Sequence, residues 1–264
     1  FRTRRGLSLL AFATVMAVAC VLLGLWQLDR YQQRGERNEE IRSALQAGPT
    51  GLDDLLDAAT TPDEVPDDVQ WRTVTVRGSY DPTAELALRL RSVEGQSGVH
   101  ALAPLHLDDG TVVLVDRGFA ATATRSTGEA TLPPPADGPV EVTGRVRLSE
   151  SGQGSGLDSD SSPPSIRFVD LAELDTLLDG DLAPVWLERV EQRPSEDADL
   201  AAIPPPRLSA GPSLIYAVQW FLFGIVAVVG FVVLARKDNA DSAARAAEVA
   251  SPRSSADDPE HSPS

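Results

Sequence analysis

Three histidines and one cysteine are the residues of this chain best suited to hold a metal or attack a substrate, and their positions argue against both tasks. His100 and His106 share the parity of one strand-like segment but stand about 20 Å apart in an extended chain, too far to share one ion. Both read as surface histidines with ordinary partners, and no metal site is expected. His261 sits in a tail rich in Ala, Ser, Asp and Pro, a composition that predicts disorder. Cys20 stands alone inside an apolar run, so no internal disulfide, paired-thiol centre or thiolate cluster can be built. No Gly-x-Ser-x-Gly elbow, phosphate-cradling loop, zinc-protease signature or dinucleotide fingerprint occurs, and we expect no enzymatic turnover. Asp116-Arg117-Gly118-Phe119 closes a strand, where an ion pair and a glycine turn suffice structurally. The functional reading of the same motif makes Arg117 a partner contact.

Two other clusters carry more chemical content. Trp26, Gln27, Arg30 and Tyr31 follow one long apolar run, and Tyr216, Gln219, Trp220 and Phe223 open another. Spacings of three and four place Tyr216, Gln219, Trp220 and Phe223 on one helical face, and Trp26 with Arg30 on another. An aromatic belt at the headgroup zone explains the Trp and Tyr residues. It leaves Gln219 unexplained, because an amide a turn or two below the surface is costly against lipid and is better met by Gln27, a cofactor or a partner helix. Partner binding and simple pairing of the two helices both fit this pattern.

The elements that must position these residues begin with the apolar runs, Leu7 to Leu25 and Leu214 to Leu234. Each is long enough to span a bilayer as a helix. The first follows Arg2, Arg4 and Arg5, as a secretory signal would. Its length, its Gly-Leu-Trp-Gln-Leu-Asp-Arg ending without a small-x-small site and the helical pattern continuing to Ala47 favour an uncleaved anchor. Basic residues flank the outer ends of both runs, with Arg236 and Lys237 after the second, which predicts both termini in the cytoplasm. The expected layout is a cytoplasmic N-terminus over 1–6, spans over 7–28 and 213–234, an extracytoplasmic domain over 29–212 and a disordered cytoplasmic tail over 235–264.

The formal charge of −16 resides in the middle segment, where residues 29–212 hold 33 acidic and 16 basic side chains. Such a surface excludes nucleic acid as a main partner, since phosphate binding needs a basic stripe. Within this segment Gly48-Pro49 stops the first helix, and alternating apolar residues predict strands over 71–80, 86–90, 99–107, 111–116, 140–148 and 184–192. Asp81-Pro82 suggests that the first two strands form a hairpin, and Asp108-Asp109-Gly110 that the next two do. Residues 149–164 read as an exposed, mobile loop. Asp170 and Glu173 resemble a capping box opening a helix over 171–178 that Gly180 ends. The fold class expected is therefore a membrane protein of α+β type, with two transmembrane helices flanking a mainly antiparallel-sheet extracytoplasmic domain.

Several motifs in order resemble the Surfeit locus protein 1 family. They are Gly24-Leu25-Trp26-Gln27-Leu28-Asp29-Arg30, Gly78-Ser79-Tyr80, Val115-Asp116-Arg117-Gly118-Phe119, and the run from Gly211-Pro212-Ser213-Leu214 through Tyr216-Ala217-Val218-Gln219-Trp220-Phe221. The resemblance covers about residues 6 to 237. It implies an assembly factor for haem–copper cytochrome c oxidase in the cell membrane, a chaperone whose partner is subunit I or its assembly intermediates. It also implies haem a as a cofactor to be inserted, with Tyr216, Gln219 and Trp220 lining a haem-sized groove. Trp26, Gln27, Arg30 and Arg117 would then be partner contacts. Haem-binding members carry His in a Gly-Pro-His-Leu pattern where this chain has Ser213, and a hydroxyl is a poor iron ligand beside an imidazole. The alternative function is an extracytoplasmic binding or sensing module, tethered by the same two helices.

Overall fold

The structure, a computed structural model, describes residues 4–56, 59, 61–121, 132–150, 154–195, 200–209, 211 and 213–250, with main chain only at 4–5 and 245–250. The chain forms two compact units, Phe1–Glu36 with Ser209–Ser264, and Arg37–Leu208.

Helix α1 spans Arg4–Gln46 and α4 spans Ser213–Ala250. Each is long and apolar enough to cross a membrane, and only 6% and 11% of their apolar windows are buried. A core helix of a soluble domain would bury such a stretch, whereas here Leu7, Phe12, Leu22, Ile215, Val226 and Val233 are exposed. The expected stop at Gly48-Pro49 holds, since α1 ends at Gln46. At the other end α4 continues to Ala250, through residues expected to be disordered. Ala240, Ala243, Ala244, Ala246 and Ala247 supply the high helix propensity that low hydrophobicity had obscured. The remaining tail with His261, like Arg2 and Pro212, lies outside the described residues.

The second unit is a mixed sheet of seven strands: β1 (Thr73–Tyr80), β2 (Leu86–Val93), β3 (Gln96–Leu107), β4 (Thr111–Ala121), β5 (Pro139–Leu148), β6 (Ser165–Ile166) and β7 (Asp181–Arg193). Their order is β1-β5-β7-β4-β3-β2-β6, and β1 also pairs with β3, so β1, β5, β7, β4 and β3 close into a barrel. The pairings are antiparallel except β4–β7 and β2–β6. The hairpin expected between β1 and β2 does not form. Instead β1 runs between β5 and β3, and β2 folds back on β3. Glu94 and Gly95 have φ of 51° and 84°, the two positive values that a tight hairpin turn demands.

Alternation along the strands separates two apolar layers. Inside the barrel lie Val74, Val76, Tyr80, Leu105, Val113, Val115, Val142, Val146, Val185 and Leu187, capped by Leu52 and Leu56 of the short helix α2 (Leu52–Leu56) and by Val65 and Val69. On the outer face Leu86, Leu88, Leu102, Val112, Leu114 and Trp186 pack under Ile166, Val169, Leu171 and Leu174. Each such fully buried side chain contributes about 1.5–3 kcal/mol.

Helix α3 is a single turn, Leu171–Leu174, shorter than expected, and Asp170 makes no side-chain cap. Glu173 does not reach back to its own helix. It accepts hydrogen bonds from Ser155 N at 2.6 Å and Ser155 Oγ at 2.6 Å, which hold its carboxyl below the usual carboxylate range. Ser155 is itself fully buried, so the loop expected to be exposed is tied down here; residues 151–153 of that loop lie outside the described residues.

Candidate functional site

In the helical unit the contact between α1 and α4 runs through small residues. Cys20 and Ala217 are each 2% exposed, and a Cβ built on Gly24 would stand 2.7 Å from the Phe221 ring. Gly224 faces Cys20 and Ala17 in the same way. Without a hydrophobic drive between helices in lipid, such close approach is what holds a pair together. Near one end of the contact Arg34 donates to Ser213 Oγ at 3.3 Å, and Ser213 is 4% exposed.

Among the expected site residues, Tyr216, Gln219, Trp26 and Arg30 are exposed and Gln27 and Trp220 are half-buried. Trp220 meets Phe223 edge to face, with centroids 5.9 Å apart. No hydrogen bond joins Gln27 to Gln219 among the described residues. The helix pair therefore turns much of its polar and aromatic belt outward and Gly24 and Gly224 inward. For the haem a implied by resemblance, position 213 does not fit. Its hydroxyl is buried and already engaged by Arg34, and no described residue of the helical unit is a histidine.

In the sheet domain the motif Asp116-Arg117-Gly118-Phe119 lies at the heart of the packing. His100 is not a surface histidine but is 9% exposed, with Nδ1 2.5 Å from Asp116 Oδ2 and its ring edge-on to Phe119 at 5.6 Å. His106 is exposed, as expected. Arg117 is 1% exposed, bonded to Glu85 and to the Pro133 carbonyl, with its guanidinium 5.9 Å from the Tyr80 ring. A guanidinium so enclosed is an internal tie, so the expectation that Arg117 contacts a partner is corrected. Gly118 has φ of 143°, and a Cβ there would sit 2.9 Å from the Ala201 carbonyl oxygen. The bare backbone lets residues 200–203 lie alongside β4, where Phe119 and Ala201 exchange hydrogen bonds of 2.9 and 2.8 Å.

That docked segment forms one wall of a cavity of about 630 Å³. Arg145 fixes the wall by donating to the Ile203 carbonyl at 2.8 Å while also donating to Glu188 at 3.3 Å. Arg147 bonds the same carboxylate, and its guanidinium lies 4.1 Å from the Trp71 ring centroid and 5.2 Å from that of Trp186. Arg91 Nη2 donates to both carboxylate oxygens of Glu150, at 3.1 and 3.0 Å. Sequence reading missed this cavity. The available signal was the spacing of Arg145 and Arg147, which places two guanidiniums on one face of β5.

A family model described as the SURF1 family matches residues 14–225. An uncharacterized SURF1-like protein of Mycobacterium bovis is 33% identical over 236 residues, covering 87% of this chain and 83% of that one. Surfeit locus protein 1 of Homo sapiens is 30% identical over 152 residues, covering 50% of this chain and 46% of the human protein. The similarity thus reaches from within the first apolar helix, through the barrel, into the second, and the chain belongs to the SURF1 family.

Proposed function

We propose that this chain is a membrane-anchored assembly factor for a haem–copper cytochrome c oxidase, assisting the maturation of subunit I without turnover chemistry of its own. Family membership across both helices and the intervening domain is the observation that carries the reading. The helix surface bearing the exposed Tyr216 and Gln219, with Trp220 half-buried beside them, supports it, because an amide and aromatics on such a surface suit a partner helix. In this reading the helices lie in the cell membrane, both termini are cytoplasmic, and residues 29–212 are extracytoplasmic. Any help given to haem a insertion proceeds by holding the apo-subunit and not by ligation through Ser213.

Deletion of the gene is expected to remove the haem-a oxidase spectrum from membranes, and the tagged chain is expected to co-purify with oxidase subunit I in mild detergent. A normal spectrum in the deletion strain would defeat the proposal. One observation favours the second reading, an extracytoplasmic binding module: the domain contains a preformed cavity.

A further inference from the structure

We infer that the cavity on the outer face of the barrel binds a small organic anion, an apolar body carrying one carboxylate or phosphate head. At about 630 Å³ the space falls in the range of small-molecule sites and is far larger than a lone ion requires. Leu88, Val93, Trp186, Ile203 and Pro204 give it an apolar surface. Three lining arginines, Arg91, Arg147 and Arg207, face three lining carboxylates, Glu94, Glu150 and Glu188, a far higher share of cations than the domain as a whole carries. Arg91 is matched by Glu150, and the lining Arg147 bonds a Glu188 carboxylate that the buried Arg145, itself not on the lining, also bonds, so Glu188 is neutralised twice. Arg207 lies on the lining, is exposed, and has no hydrogen bond or ion pair among the described residues.

His100 adds a second polar contact. Its Nδ1 is engaged by Asp116, so Nε2 is the ring's remaining polar atom, and the side chain, 11% exposed, lines the cavity. Glu94, in the exposed turn between β2 and β3, is the opposing charge at the rim. A domain with a large acidic excess that nevertheless gathers guanidiniums around one half-apolar hollow is arranged for an anion with a greasy body. Guanidinium forks match the oxygens of carboxylate and phosphate alike. The inference does not depend on the oxidase reading, since it rests on the domain's own residues.

The test is isothermal titration of the full chain in nanodiscs, with empty nanodiscs subtracted, using 2-naphthoate, 2-naphthyl phosphate and the neutral 2-naphthamide as probes. At least one anionic probe is expected to bind while the amide does not, and the tighter of the two anions identifies the head group. Arg207→Ala should weaken the anion by about tenfold, as losing a charge-assisted hydrogen bond does, and Arg207→Lys should restore most of it. Val93→Trp, which fills the hollow without touching a charge, should abolish binding. Equal affinity for amide and anions, no heat with either anion at millimolar concentration, or an Arg207→Ala chain that binds unchanged would each overturn the inference.

Discussion

The two units of this protein obey opposite burial rules. In the barrel, valines and leucines fill the inside, and buried charges are held in internal pairs, Asp116 with His100, Arg117 with Glu85 and Arg145 with Glu188. In the helix pair, leucines, valines and phenylalanines point outward, and the residues enclosed between helices are Cys20, Gly24, Ser213, Ala217 and Gly224. The difference is what the proposed membrane anchoring accounts for: the barrel is held by exclusion of apolar surface from water, whereas two helices long and apolar enough to cross a membrane would, in lipid, be held by close steric fit.

The largest expected effect breaks the barrel's side of that contrast. Arg117→Ala removes a fully buried guanidinium that bonds Glu85 and the Pro133 carbonyl, and should cost about 3–5 kcal/mol of domain stability. Denaturant unfolding of the full chain, read by near-ultraviolet circular dichroism of Trp71 and Trp186, measures it; a loss well under 1 kcal/mol would mean that the tie is incidental.

A smaller effect probes the helices. Gly224→Cys would bring a second thiol close to Cys20, since a Cβ at position 224 lies 3.4 Å from the Cys20 Cβ, and a disulfide should form under mild oxidation. Adding Gly24→Leu drives a side chain into Phe221 and should weaken the pair by about 1–2 kcal/mol, seen as slower cross-linking. The domain's own unfolding curve should stay where it was. Cross-linking at an unaltered rate would show that the glycine contact does not hold the helices.

The smallest effect concerns the strap over the barrel's outer face. Glu173 is held below the usual carboxylate range by Ser155, so its contribution is complete above the unfolded value and lost as pH falls through the lower folded one. Protection of the amides over residues 154–174, taken relative to their intrinsic exchange rates at each pH, should therefore fall on acidification, and Glu173→Gln should remove that response. Protection that is equally acid-sensitive in the Glu173→Gln chain would assign the effect elsewhere.

What the sequence disclosed was faces, and what it withheld was partners. Leu7 to Leu25 and Leu214 to Leu234 announce themselves by length, and Asp108-Asp109-Gly110 encodes the β3–β4 hairpin locally. Val74 and Val76 likewise show one inward face, but alternation cannot say that the strand across from them is β5 and not β2. Barrel closure through Gly78↔Leu107 and the parallel β4–β7 pair depend on segments far apart in the chain, which no local pattern records. The site residues divide the same way. That Trp26, Tyr216 and Gln219 lie on helices was legible from the apolar runs they adjoin. The burial of His100 needed Asp116, that of Arg117 needed Glu85, and the cavity needed a connector docked on Gly118. Glu173 shows the converse error, a side chain that satisfies a local capping pattern yet is taken by Ser155 across the fold.

The opposition between the two units can be tested by asking which solvent each meets. In a chain with Cys20→Ala, single cysteines would be placed at exposed positions of both helices, Leu22→Cys and Val226→Cys, and of the domain, Glu94→Cys. Intact spheroplasts would then be treated with a membrane-impermeant maleimide. Rapid labelling of the domain position with neither helix position labelled is the result expected of lipid-embedded helices and an extracytoplasmic barrel. Labelling at Leu22→Cys and Val226→Cys as fast as at Glu94→Cys would contradict it.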